Sequence, residues 1–510
     1  MTTTTLRPPG DPAALDPATV LERYVAAKAR RVPWEGYWQE CYDYALPLSV
    51  NVSGIGQAAD RRGERLFDGT AIDAVDQLAS SLLAQLTPPW SRWFGLEPGP
   101  DLGADERERM APGFERMSAI VQSHFDRSNF IIEMHQCFLE LATVGTASLL
   151  VEENPPGEPS CLRFTAVPMA EMVLEEGPGG RLDTSFRRSE LSLAALSRRF
   201  PNAALPDPVR GAGANARFTL IEAVLPDGPA YRYVVVLENA GSGPVVLAEG
   251  RFGQSPFINF RWLKAPGESY GRSPVMKALP DIKTANKVVE LVLKNASMVV
   301  SGMWQADDDG VLNPSTIRLV PGAIIPKATG SAGLTPLANP GRFDVSQLVL
   351  NDLRARIRHA LLADTLGPVS DARMTATEVL ERSAEMARLL GATYGRLQSE
   401  LLTPLLLRAF SILRRRGEIP DVSIDGRLVE LKYRSPLARA QATRDVGATL
   451  QWLEAAVGLG PQALAAVDLG AAARWLGEAF GVPGRLIIAD ASGAALPPLP
   501  LPDAAEASRD

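Results

Sequence analysis

Hydrophobic positions recur at helical spacing through the first 150 residues. The segment Pro17–Leu46 carries Leu21, Tyr24 and Val25, then the aromatics Trp34, Tyr37, Trp38, Tyr42 and Tyr44. Asp16 is placed to cap it, Pro17 suits a first helical position, and Pro47 ends it. A second helix is expected over Thr70–Leu86, where Ile72, Val75, Leu78, Ala79, Leu82, Leu83 and Leu86 share one face until Thr87-Pro88-Pro89 stops the pattern. A third helix is expected over about 104–127. A fourth, 130–143, leads into the strand-like apolar run Ala147–Val151. Residues 1–17 read as a flexible Thr/Pro arm and 49–65 as a polar loop.

Between 160 and 263 the helical period gives way to short β-rich runs separated by Gly/Pro turns: Leu162–Val167, Phe218–Val224, Tyr231–Leu237, Val245–Ala248 and Phe257–Arg261. One helix near 190–199 interrupts them. Helical spacing returns from Pro274 to about Ser301. A turn-rich insert, 302–343, follows, then a helix over about 344–363 and a Gly/Pro loop, 364–373. A very long helix is expected over about 374–416, kinked at Pro404, with Val379, Met386, Leu390, Tyr394, Leu397, Leu401, Leu405 and Leu413 on one face. At ~1.5 Å per residue it would span ~63 Å, too long for a small core. The strand Leu428–Tyr433 and helices at 436–458, 461–468 and 470–481 close the pattern, and 485–510 reads as a mobile Pro/Ala-rich tail.

Composition narrows the function classes. The chain has 510 residues, a net charge of −7 and 46% hydrophobic residues, which argues for a folded protein and against a broad basic coat that wraps nucleic acid. The three cysteines show no CxxC spacing, and the three histidines no HExxH spacing, so neither a disulfide framework nor a local zinc motif is expected. The N-terminus has no apolar core of a signal peptide, and no run of ~18 apolar residues predicts a membrane span. No Walker A motif is present, so a nucleotide-driven motor is not expected.

Some constellations carry chemistry on paper. Gly267-Glu268-Ser269-Tyr270-Gly271 matches the G-x-S-x-G of a serine hydrolase, with His359 the only downstream base. Against it, Lys264-Ala265-Pro266 interrupts the preceding strand and the surrounding chain lacks alternating β/α units; a turn leading into a helix reads better. Asp307-Asp308-Asp309 resembles the start of a calcium loop but lacks the Glu at its twelfth position, so a solvated acidic turn is expected instead. Lys283, Lys287 and Lys294 fall on one stripe of the 274–301 helix, and Arg354 and Arg358 are i,i+4 neighbours on 344–363. Such stripes are either solvated faces or walls that meet a polyanion's phosphates without reading bases.

Several stretches, in order, resemble the portal, or head-to-tail connector, of short-tailed double-stranded DNA phages. They are Trp34-Glu35-Gly36-Tyr37-Trp38, Tyr44-Ala45-Leu46-Pro47, Leu66-Phe67-Asp68-Gly69-Thr70-Ala71, Leu78-Ala79-Ser80-Ser81-Leu82 and, most distinctive, Leu86-Thr87-Pro88-Pro89-Trp90-Ser91-Arg92-Trp93-Phe94. Ser128-Asn129-Phe130, Gly271-Arg272-Ser273-Pro274, Met374-Thr375-Ala376-Thr377-Glu378-Val379 and Ser435-Pro436-Leu437-Ala438-Arg439-Ala440-Gln441 continue the series. Together they cover most of 30–445; the two ends fall outside.

The resemblance implies an α+β, mainly α-helical portal fold with wing, stem, clip and crown regions, a β-rich segment in the wing, and assembly into a ring. The implied division is a flexible arm 1–20; a wing 21–265, helical over 21–145 and β-rich over 146–265; a first stem helix 266–301; a clip 302–343; a second stem helix 344–363; a tunnel loop 364–373; a long wing helix and strand 374–435; a crown 436–484; and a mobile tail 485–510. Lys283, Lys287, Lys294, Arg354 and Arg358 would line the DNA channel. Leu366, Gly367, Pro368, Val369, Ser370 and Arg373 would form the tunnel loop, unless 364–373 is a plain helix–helix turn. Asp307, Asp308 and Asp309 would meet partners at the clip. The implied partners are some eleven further copies, duplex DNA passing non-specifically, the terminase large subunit as packaging ATPase, the major capsid protein and scaffold, and tail adaptor or nozzle proteins. No membrane partner, no cofactor, no metal and no enzymatic activity are expected, and the place of work is the capsid vertex of a virion assembled in the host cytoplasm. A serine hydrolase built on Ser269 and a generic capsid-associated scaffold are the alternatives. Oligomerisation is also expected because the apolar faces of 70–86 and 374–416 look too long for one subunit to cover.

Overall fold

The computed structural model describes residues 16–47, 66–89, 91–99, 101–213, 216–241, 243–301, 304–306, 329, 334–336, 343–366, 390–420, 429–434, 446, 449–459 and 467–479. Helices α1 (Pro17–Ala45), α2 (Thr70–Leu86), α3 (Ala104–Asp126) and α4 (Phe130–Val144) form the first layer, close to the bounds their periodicity predicts. Asp16 caps α1 through a hydrogen bond from the Ala18 N–H, and Pro17 occupies the first turn. α4 ends at Gly145, whose φ of +77° supplies the left-handed turn into strand β2 (Thr146–Glu153).

β2 is the middle of a three-stranded antiparallel sheet between β3 (Leu162–Val167) and β9 (Phe257–Arg261). A second antiparallel sheet has the order β4 (Met172–Glu175), β5 (Thr184–Ser192), β6 (Arg217–Asp227), β7 (Ala230–Leu237) and β8 (Val245–Phe252). Successive side chains of a strand point to opposite faces, and here both faces are buried. Val234 and Val236 pack with Val20, Tyr24 and Ala27 of α1. Val235 and Leu237 pack on the other side with Leu196 of α5 (Leu193–Arg199) and Val209 of the single turn α6 (Asp207–Arg210). The sequence pattern missed β4 and β5. β5 carries Arg187, Arg188 and Glu190, whose charges are answered by ion pairs (Arg187 with Glu171, Arg188 with Glu190) rather than by an apolar alternation.

The remaining elements are α7 (Pro274–Ser301), β10 (Trp304–Ala306), β11 (Leu334–Pro336), α8 (Phe343–Ala360), α9 (Ala363–Leu366), α10 (Gly391–Leu397), a π-helical turn (Gln398–Leu402), α11 (Thr403–Arg415) and β12 (Val429–Tyr433). Residues 449–458 and Leu469–Ala479 are also helical. The long helix is described from Gly391 onward; its expected part 374–389, with Val379 and Met386, lies outside the described residues. Pro404 does not sit at a simple kink. A π turn precedes it, and the Thr403 hydroxyl donates to the Gln398 carbonyl at 2.9 Å. β12 returns to the first layer and pairs antiparallel with β1 (Phe94–Pro98), from Phe94 against Tyr433 to Pro98 against Val429. The sequence pattern signalled neither β1 nor this pairing.

One core joins the helical layer, the three-stranded sheet and α10–α11. It contains the aromatic stack of Trp93, Phe94, Phe125, Phe130 and Phe164. The expectation that 70–86 and the long helix leave apolar faces uncovered is overturned for 70–86 and for the described part of the long helix, from Leu390 onward. Ala71, Ala74, Val75, Leu78, Ala79, Leu82 and Leu86 of α2 are buried, as are Leu390, Tyr394, Leu397, Leu401, Leu405 and Leu413. The chain itself covers them, because α2 lies against α4, α8 and α9 and the long helix lies on β2 and β9. The open apolar side chains are elsewhere: Leu291 and Leu293 on α7, Leu348 and Val349 on α8, Leu450 and Trp452 in 449–458, and Leu469 and Trp475 in the last helix. Among the described residues no helix is long and apolar enough to cross a membrane.

Candidate functional site: the α7–α8 stem

α7 and α8 pack along each other, and the β10–β11 ladder, with Trp304 opposite Pro336, lies between them in the chain. Ser273 starts α7. Its hydroxyl donates to the Thr143 carbonyl at 2.8 Å and accepts the Met276 N–H at 2.9 Å, so the helix leaves the fold from a fixed point on α4. Ile282 and Ala285 on α7 and Leu350, Leu353 and Ile357 on α8 form the buried face of the unit. Asn286 reaches outward from it, and its side-chain oxygen accepts the N–H groups of Phe67 and Asp68 at 2.6 and 3.1 Å.

The five cations predicted for a channel wall are all in described helices, and each has a carboxylate partner. Lys283 pairs with Glu40 of α1 at 3.1 Å. Lys287 and Lys294 flank Glu290 at 2.9 and 2.6 Å and hold its carboxyl below the usual range by hydrogen bonding. Arg358 lies 3.5 Å from Asp364. Arg356, beside them on α8, pairs with Asp281 of α7 at 3.0 Å. These five cations therefore form a set of paired charges rather than a basic stripe. Glu290 pairs within α7 at i,i+3 and i,i+4 spacing, but Glu40, Asp68 and Asp364 come from other elements, so helix spacing could not reveal them.

Arg354 is the most committed of the five. Its Nε and Nη2 donate to the Oδ2 of Asp68 at 2.9 and 2.8 Å, and the Thr70 N–H donates to Asp68 Oδ1 at 3.0 Å. Burial works against the Asp68 charge, but the hydrogen bonds from Thr70 and Arg354 outweigh it and hold its carboxyl below its ordinary 3.8. A lowered folded pKa contributes stability that is fully present above 3.8 and is lost as pH falls below it, toward the folded value. Replacing Arg354 with alanine is expected to cost about 1–2 kcal/mol at neutral pH, with screening at the partly exposed Arg354 limiting the loss. Because the lowered Asp68 value depends in part on Arg354, the variant's deficit is expected to be full above about pH 4 and to shrink as pH falls below 3.8. Urea midpoints measured between pH 3 and pH 7 read both effects.

Of the expected tunnel loop, Leu366 closes α9; Gly367, Pro368, Val369, Ser370 and Arg373 lie outside the described residues, as do Asp307, Asp308 and Asp309 of the clip. Ser269 is described and does not sit at a nucleophile elbow. The sheets around it are antiparallel, and residues 263–272 form a loop closed by the Leu263–Arg272 bridge. The Ser269 carbonyl accepts from the buried Arg261 at 3.0 Å, while His359 lies exposed on α8 and makes no hydrogen bond to Ser269. The hydrolase reading is not supported.

Comparison with known proteins places the chain in a family. A family model described as bacteriophage head to tail connecting protein matches residues 18–488. The chain is 27% identical over 477 residues to the probable portal protein of Bordetella phage BPP-1, covering 87% of this chain and 84% of the relative. It is 25% identical over 463 residues to the portal protein of Salmonella phage epsilon15, covering 84% and 80%. Among solved structures, a chain in the virion of a native gene transfer agent particle is similar over 76% of this chain and 86% of that one, at 13% identity and a TM-score of 0.36.

Proposed function

The chain belongs to the bacteriophage head-to-tail connecting proteins and serves as a phage portal, and from that premise we propose how its parts do the work. The observation that carries the reading is the family match across residues 18–488, which takes in every helix and strand described except the first position of α1. About twelve copies form a ring with a central channel. α7 and α8 are the stem, 302–343 the clip, 364–373 the tunnel loop and 436–484 the crown. Leu291, Leu293, Leu348 and Val349 on the stem, and Leu450, Trp452, Leu469 and Trp475 toward the crown, are apolar positions that neighbouring subunits would cover.

The paired charges suit a wall along which DNA must slide. Each phosphate that a free cation neutralises adds a salt-dependent increment of affinity, so a wall of unpaired lysines would hold the duplex. Cations already answered by Glu40, Glu290, Asp68 and Asp364 leave a nearly balanced surface that meets phosphates weakly and without sequence preference. The protein is a non-enzymatic channel, and the energy for packaging comes from the terminase large subunit docking at the clip around Asp307–Asp309, a surface later taken by tail adaptor or nozzle proteins. The ring sits in the major capsid protein shell, placed there with scaffold during assembly in the host cytoplasm.

Negative-stain imaging of the purified chain tests the ring: annular particles with a central hole are expected, and a stable monomer in light scattering overturns it. Deleting 366–370 is then expected to leave rings intact while lowering the amount of DNA packaged or retained. Full packaging with normal retention would reduce 364–373 to a plain turn.

A further inference from the structure

Away from the stem, three side chains of different chemistry converge at one edge of the wing. His124 stands in the last turn of α3, Cys161 directly precedes β3, and Glu418 follows α11. A ring nitrogen of His124, the Cys161 Sγ and a carboxylate oxygen of Glu418 all lie within 4.8 Å of one another. Among the described residues this is the only such group of three or more His, Cys, Asp or Glu side chains. We propose that His124, Cys161 and Glu418 bind one divalent transition metal ion of borderline softness, zinc being the natural occupant.

Local structure holds each ligand in place. Gly417, at a φ of +73°, turns the chain at the end of α11, and the Glu418 N–H donates back to the Leu413 carbonyl at 3.1 Å while Gly417 N–H donates to Arg414 at 3.0 Å. This Schellman turn leaves the Glu418 side chain facing α3. Its Oε2 is 2.7 Å from His124 Nε2, and its Oε1 is 3.5 Å from Arg416 Nε, which orients the carboxylate. Residues 160 and 161 clasp the end of α3: the Ser160 hydroxyl donates to the His124 carbonyl at 2.8 Å and the Cys161 N–H to His124 Nδ1 at 3.3 Å. Bonds of about 2.0–2.3 Å from zinc to N, O and S need ligand atoms roughly 3–4 Å apart, so side-chain rotations alone complete the set.

The donor types select the metal. A thiolate, an imidazole and one carboxylate suit zinc or cobalt, whereas magnesium and calcium require oxygen cages. The side chain of Glu418 is 34% exposed, so a water can take the fourth position from solvent. Binding exchanges protons for metal. The thiolate is the form that binds, so the ion displaces the Cys161 thiol proton to solvent as the S–metal bond forms.

No local spacing points to this set, because the ligands stand 37 and 294 residues from His124 and match no zinc motif. Cobalt(II) titration of the untagged, metal-stripped, full-length chain is the direct test. A thiolate-to-cobalt charge-transfer band saturating at one ion per chain is expected, displaced by zinc, together with a zinc-dependent rise in melting temperature. Cys161→Ser should abolish the band, and Glu418→Gln, which keeps a hydrogen bond to His124, should weaken zinc by about a hundredfold. No band in the unaltered chain overturns the site and leaves the three side chains as a hydrogen-bonded staple. A band that persists in Cys161→Ser overturns it equally.

Discussion

Replacing Arg261 with alanine is expected to destabilise the fold by about 3–5 kcal/mol, because it leaves a buried carboxylate without its main counter-charge. Arg261, at the end of β9, is 0% exposed and the side chain of Glu400, in the π turn, is 6% exposed. The Arg261 backbone N–H and Nε donate to Glu400 Oε2 at 3.0 and 3.2 Å, and Nη2 donates to Oε1 at 2.6 Å. Nη1 donates to Glu176 and to the Ser269 carbonyl, and Nη2 also to the Gly180 carbonyl. Burial opposes the guanidinium charge, and its hydrogen bonds to Glu400 and Glu176 more than restore it. Without it, Glu400 keeps the backbone N–H of residue 261 at 3.0 Å and one cation, Arg396, at 3.1 Å. Amide hydrogen exchange across 396–405 is expected to speed strongly, and the guanidinium midpoint to fall. Pairing Arg261→Met with Glu400→Leu should recover most of the loss, since a buried pair can be exchanged for apolar side chains of similar volume more cheaply than it can be broken. A single variant as stable as the parent would show that Arg396 alone suffices.

The second large effect is expected at Gly271. A Cβ built there would stand 2.1 Å from the Gly145 carbonyl oxygen and 3.0 Å from the Arg261 Cβ. The approach is mutual: a Cβ on Gly145 would meet the backbone of Gly271 and Arg272 at 2.6 Å, at a φ of +77° that side chains rarely adopt. Two hydrogen bonds fix the contact, from the Gly271 N–H to Thr146 Oγ1 at 2.8 Å and from the Trp262 N–H to the Gly145 carbonyl at 2.9 Å. Backbone cannot yield as a flexible side chain can, so Gly271→Ala is expected to cost about 3 kcal/mol or more. It should also loosen the start of α7 from α4, visible as a lower melting temperature and a loss of intact rings. Gly267 has open space where its Cβ would go but a φ of +80°, so Gly267→Asn should be far milder. The G-x-S-x-G spelling is thus explained by its last glycine, which lets α7 start hard against the turn between α4 and β2.

These two sites show why the hydrolase spelling marks a turn into a helix, as the interrupted strand before it suggests, and where local patterns stop. A pentapeptide reports turn chemistry; whether it holds a nucleophile depends on strands elsewhere, and those around Ser269 are antiparallel. The channel cations were similar. Helical spacing placed Lys283, Lys287 and Lys294 along one helix correctly, but Glu40, Asp68 and Asp364, which answer Lys283, Arg354 and Arg358, belong to other elements.

The sequence by itself determined the helical layer, the bounds of α2 and α7, the strands β3 and β9, and the ordered motifs that resemble the portal family. Those features are local, since hydrophobic period, proline and cap residues act within a few positions of one another. Only the tertiary structure decided what covers each apolar face, that β1 pairs with β12, that Arg261 meets Glu400, and that His124, Cys161 and Glu418 meet. An amphipathic period tells a helix to bury one side but not against what, so α2 could be read as a ring contact until its own chain was seen to cover it. Charge pairs and backbone approaches join residues more than a hundred positions apart, and no periodicity along the chain encodes their distance.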